Sequence, residues 1–182
     1  GRTAYPENAP LWFYRGQWLG KCAGRQTSQR LSAICDQIYH AAPILPNELI
    51  QRRQLSTSVA AARRNLIESM ILRRHLPRLG IQGHPPELSL CLSLLEATQL
   101  HRLQPNGEWG FAPPDPQSDP ARLRPVWEQL YRCVQDAFPE QVPLTQLIAA
   151  LESPPFGVLP SVFPILLCAF WTVSYTHLTL PT

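Results

Sequence analysis

Ser56-Thr57-Ser58-Val59-Ala60-Ala61-Ala62-Arg63-Arg64-Asn65-Leu66-Ile67-Glu68-Ser69-Met70-Ile71-Leu72-Arg73-Arg74 is the stretch whose reading decides the fold. Ser56 is an N-cap residue type, and Val59, Ala62, Leu66, Ile67, Met70 and Ile71 recur at the spacing of one apolar helical stripe. Three successive alanines add helix propensity. The pattern predicts a helix over 57–74. At about 100° per residue, Arg63 projects into that stripe, with Arg73 and Arg74 flanking it. Arg64 lies one turn before Glu68. A guanidinium is costly to bury without a partner. Arg63 therefore pairs with a carboxylate of a neighbouring helix (Asp36, Glu87 or Glu96), snorkels to the edge, or faces a polyanion.

Widening the window to Pro46–Arg78 adds Asn47, a second cap residue, which predicts a short helix over 47–54. This window holds seven arginines against Glu48 and Glu68, a local charge of +5 in a chain of +3, so the remainder is near −2. Arg52, Arg53, Arg63, Arg64, Arg73 and Arg74 are the candidate nucleic-acid-binding residues. The charge of the whole chain is too small to imply such a partner; only the cluster argues for one.

Before the cluster, Leu11-Trp12-Phe13-Tyr14 and Gln17-Trp18-Leu19 flank Arg15-Gly16 as a β-hairpin would. Its aromatics beside Arg15 and Lys21 read as a half-buried sheet face or as a stacking surface for bases. Thr27 or Ser28 caps a helix over 28–41 with a face of Leu31, Ile34, Cys35, Ile38 and Tyr39. After the cluster, Pro85-Pro86-Glu87 opens a helix over 86–100. Residues 104–120 carry five prolines and two glycines and read as a linker or long loop, with a short strand at 108–111. Helices follow over 122–138, 143–151 and 161–173, separated by a tight turn at Ser153–Gly157.

The expected fold is mainly α: an N-terminal β-hairpin and helical bundle over 1–103, the connection at 104–120, and over 121–173 a helix-turn-helix or winged-helix-like unit lacking its wing. Residues 174–182 break the periodicity and read as a non-native tail, and the first residue is not Met; both suggest an internal fragment of a longer protein.

Twenty prolines imply short elements, while 45% hydrophobic residues suffice for a core. Five widely spaced cysteines, none in a Cys-x-x-Cys pair, read as reduced thiols of a cytoplasmic protein. The apolar run 158–173 is interrupted by prolines and too short to span a membrane. Gly16-Gln17-Trp18-Leu19-Gly20-Lys21-Cys22 approaches a phosphate loop, but three residues separate its glycines where four are needed, and Cys22 replaces the magnesium-binding hydroxyl. His84, Cys91 and His101 match no zinc spacing, and no cysteine stands out as a nucleophile. The residues thus name no catalytic group, metal ligand or cofactor site.

The segments Asn47–Arg53, Ala60–Glu68, Leu79–Glu87 and Pro154–Val158 resemble parts of large bacterial P-loop ATPases of BREX and Pgl-type phage-defence systems. The likeness extends over residues 11–172. The nucleotide-binding lysine and magnesium ligands of that family have no counterpart here. The resemblance therefore implies a non-catalytic helical region of such an ATPase, without a cofactor of its own. Its partners would be the rest of the ATPase, DNA or other defence-system subunits. A helical adaptor that binds only protein is the alternative.

Overall fold

A computed structural model describes residues 11–21, 25–51, 54–137 and 140–178, with side chains as far as Ser174. The chain is mainly helical with two small antiparallel hairpins. Its contacts divide it into two compact units, residues 1–40 and 41–182.

In the first unit, β1 (Leu11–Tyr14) pairs with β2 (Gln17–Lys21) as expected, turning at Arg15-Gly16. Helix α1 (Arg25–Ile38) begins three residues before its expected start and passes through Thr27 and Ser28, so neither caps it. No residue of α1 is buried, and its expected apolar face leaves Leu31 and Cys35 exposed.

The second unit is built around α2 (Thr57–Leu72). Ser56 caps it as expected, its Oγ accepting a hydrogen bond from the Val59 N–H. The buried positions are Ala62, Leu66, Ser69 and Met70. Val59 and Ile67 are half-buried, but Ile71 is exposed. The stripe is thus rotated toward Ser69, which is buried without penalty because its hydroxyl donates to the Asn65 carbonyl one turn earlier. The helix stops at Leu72, leaving Arg73 as its C-cap and Arg74 beyond it.

Two elements cover α2. The first is α3 (Pro86–Cys91), which continues through a π-helical turn at Leu92–Glu96. There the Ala97 N–H reaches back five residues to the Leu92 carbonyl. The second is α6 (Phe163–Leu178). It runs straight through Ser174, so residues 174–178 continue the preceding helix instead of departing from it; 179–182 lie outside the described residues. Helices α4 (Arg124–Ala137) and α5 (Leu144–Glu152) pack on each other, and Trp127 of α4 meets Phe170 of α6 edge-on at 5.2 Å. Leu66, Met70, Leu90, Leu94, Leu130, Leu151 and Phe170 share one core.

The expected connection at 104–120 contains one strand of a second hairpin, whose Phe111 packs against this core. β3 (His101–Leu103) pairs with β4 (Trp109–Phe111) across the three-residue turn Pro105-Asn106-Gly107. Gly107 takes φ +82°, the left-handed conformation such a turn needs at that position. Pro105 sits in the turn, where it interrupts no ladder, and Ala112, Pro114 and Ala121 are buried further along. Contacts therefore thin out at residue 40, not between 104 and 120.

The short helix expected at 47–54 is replaced by an Asx turn. Asn47 Oδ1 accepts from the Leu49 N–H at 2.9 Å, while its Nδ2 donates to Ser93 Oγ at 2.6 Å. One side chain thus shapes the turn and ties it to the π-turn after α3. Removing it deletes the hydrogen bonds of a buried side chain to Leu49, Ser89 and Ser93. Asn47→Ala is expected to lower unfolding stability by about 2 kcal/mol, measured by urea denaturation; a change below about 0.5 kcal/mol would mean that water replaces both bonds.

Candidate functional site

The described arginines of the cluster gather around α2 and the turn leading from it to α3. Arg52 and Arg53 lie outside the described residues. Arg63 is half-buried on α2, Arg64 is exposed on the same helix, and Arg73, Arg74 and Arg78 are exposed in the turn that follows.

Arg63 has no carboxylate partner among the described residues. Its Nη1 donates to the Ser161 carbonyl at 3.2 Å. Of the acids expected to meet it, Glu87 accepts from Asn65 and Glu96 pairs with Arg78. The stripe rotates away from Arg63, so its Cα lies at the rim and the guanidinium needs a dipole, not a full countercharge. Ser161 is itself buried, and its Oγ donates to the Ile50 carbonyl at 2.5 Å. Arg63, Ser161 and Ile50 thus form a relay joining α2, the approach to α6 and the turn after Asn47. This gives Arg63 a structural contact. Arg63→Ala is expected to cost about 1 kcal/mol and Ser161→Ala about 1–3 kcal/mol, since the second orphans a buried carbonyl. Denaturation of both single variants and the double variant checks this, and strict additivity would break the relay apart.

Arg73 folds back, its Nη2 donating to Ser69 Oγ at 2.8 Å. Arg74 projects outward, and its carbonyl is held from beneath by His101 Nε2 at 2.7 Å. Because a carbonyl only accepts, Nε2 carries the proton and Nδ1 is the bare nitrogen. Nδ1 is buried without a hydrogen-bond partner among the described residues. The ring stacks on Trp109 (5.5 Å between centroids) and tilts against Phe111 (4.9 Å). The β3–β4 hairpin is therefore the support on which the arginine turn rests. The alternation of His101–Leu103 and Trp109–Phe111 about Asn106-Gly107 was the sequence signal for this hairpin, obscured by the surrounding prolines.

Arg78 Nε lies 3.7 Å from Glu96 Oε1. Among the described residues the only other ion pair is Arg124–Glu128 on α4. Arg64, Arg73 and Arg74 take part in neither, and Arg64 does not form the expected pair with Glu68. Arg73 and Arg74 of the turn are thus exposed cations that no carboxylate of the described residues pairs with.

The same region holds Cys91 and His101, two of the three residues weighed and set aside as a zinc set. Burial, with Glu96 adding to it and Arg78 opposing, pushes the Cys91 thiol up to about 12. Burial pushes His101 below its ordinary value, although the Arg74 carbonyl and Glu96 oppose it. Cys35, Cys91, Cys133 and Cys168 are free thiols. No group of three or more His, Cys, Asp or Glu is placed to hold a metal, and no helix is long and apolar enough to cross a membrane, among the described residues. No protein-family model, curated protein or solved structure matches the chain.

Because the folded pKa of His101 is depressed, the unfolded chain binds the proton more readily. The contribution to stability is complete above about pH 6.5 and is lost as the pH falls below that value. Denaturation midpoints between about pH 7.5 and 5 should therefore fall more steeply for the native chain than for His101→Asn. Equal slopes would show that His101 protonates without cost.

Proposed function

We propose that this chain is a non-catalytic helical interaction region, of the kind belonging to large P-loop ATPases of BREX and Pgl-type defence systems, and that it contacts DNA through the turn after α2. The observation that carries the reading is the exposure of Arg73 and Arg74 on a turn braced by His101, and of Arg64 on the helix before it, with none of the three in an ion pair among the described residues. Arginine forks left unneutralised on a rigid support suit phosphate oxygens. Two of the segments carrying the family likeness meet here, since Asn65 of the first donates to Glu87 of the second at 3.4 Å. In this reading α4, α5 and α6, in sequence with the turn at Ser153–Gly157 between the last two, act as a helix-turn-helix-like unit that lacks a wing. The work takes place in the cytoplasm, where the ATPase and its DNA reside.

Phosphate contacts release counterions, so the slope of log affinity against log salt counts them. Arg64→Gln and Arg74→Gln are each expected to reduce that slope by about one on a short DNA duplex, whereas Arg63→Gln leaves it unchanged. Fluorescence anisotropy over a salt series measures it. An unaltered slope in both variants, or no saturable binding, would favour the protein-only adaptor.

A further inference from the structure

The hairpin of the first unit plays no part in that reading. Strand alternation puts Trp12 and Tyr14 on one face, and both are half-buried. Phe13 and Trp18 are direct cross-strand partners on the other face, and each is 65% exposed. This pair does not cover a core. Two large aromatic side chains at paired strand positions, both largely in water, form a surface that binding would desolvate.

Trp18 also lines a cleft of about 650 Å³ together with Tyr14, Arg15, Gln17, Arg30 and Gln37. Between residues 11 and 40 the cations Arg15, Lys21, Arg25 and Arg30 face one carboxylate, Asp36. Arg15 sits at the hairpin tip with φ +48°, its guanidinium 5.4 Å from the centre of the Tyr14 ring. Arg30 Nη1 donates to the Leu19 carbonyl and so fastens α1 to β2.

Charge complementarity selects the occupant. An apolar protein segment would leave the excess of cations unmatched, and a duplex keeps its base faces stacked inside. A single strand offers both unstacked bases and phosphates. We infer that the first unit binds single-stranded nucleic acid across this hairpin. Bases stack on Trp18 and Phe13, and the phosphates run beside Arg15 and Lys21. The contact is independent of the arginine turn after α2 and indifferent to sequence, because every base has a π-face.

The test uses the full chain and a fluorescein-labelled oligothymidylate of about 12 nucleotides, read by anisotropy. Trp18→Ala is expected to weaken binding about tenfold and Phe13→Ala several-fold, while Trp18→Phe retains most of the affinity. Lys21→Ala lowers the salt slope by about one. Binding of a duplex of equal length changes less than about twofold in the two aromatic variants. The inference is overturned by absence of saturable oligothymidylate binding, by a Trp18→Ala, Phe13→Ala double variant within about twofold of the native chain, or by an equal loss on duplex. Concentration-dependent dimerisation that Trp18→Ala abolishes, without oligothymidylate binding, would assign the face to a second copy of the chain instead.

Discussion

Two-sided burial of α2 is the constraint on which the rest of the second unit depends. Leu66 and Met70 are wholly removed from water between α3 and α6, each contributing about 1.5–3 kcal/mol of apolar burial. A helix covered on two sides has only a narrow free strip, and on α2 that strip carries Arg64 and Glu68. Every polar group at the border must be satisfied. Arg63 meets this demand with a carbonyl, and Ser69 meets it twice, donating to Asn65 and accepting from Arg73. The arginines at the helix end are exposed because the core ends there.

The connection from α2 to α3 shows how such a core constrains the backbone. Arg78, Leu79 and Gly80 adopt positive φ in succession, 50°, 55° and 64°. For residues with a Cβ the left-handed region costs about 1–2 kcal/mol each. Full burial of Leu79 offsets much of this cost, and the reversed turn leaves its neighbour Arg78 outside beside Glu96. At Gly80 φ +64° calls for glycine, whereas the 2.9 Å approach of an added Cβ to Leu76 Cδ1 meets only the end of a flexible side chain.

What was legible in the sequence was local and periodic. The Ser56 cap, the helix after it, the Arg15-Gly16 hairpin and the two helices at 124–137 and 144–152 follow from residue types a few positions apart. What was not legible rests on partners distant in the chain. Asn47 satisfies both a cap rule and an Asx-turn rule, and Ser93, 46 residues on, accompanies the second. Arg63 was expected to need a carboxylate because a 3.6-residue period cannot resolve a stripe rotated by one position. The prolines of 104–120 concealed a hairpin, since proline forbids a ladder bond only where one is required. The arginine cluster itself was readable, but its division into a structural Arg63 and outward-facing neighbours was not.

Three buried polar side chains, Asn47, His101 and Ser161, do the same kind of work. Each gives a hydrogen bond to a backbone group of another segment: Asn47 to Ser89, His101 to Arg74, Ser161 to Ile50. Buried backbone groups in irregular segments need partners that no regular ladder supplies. This bears on the chemistry of Cys91 and His101. A nucleophilic pair requires a thiolate beside an imidazolium, the charged form of each. Burial drives both groups toward their neutral forms, the thiol upward and the imidazole downward. The environment that makes His101 a good brace, dry and flanked by two aromatic rings, is the one least able to support charge separation. The histidine therefore serves the site by its geometry, through the neutral Nε2–H that holds the Arg74 carbonyl.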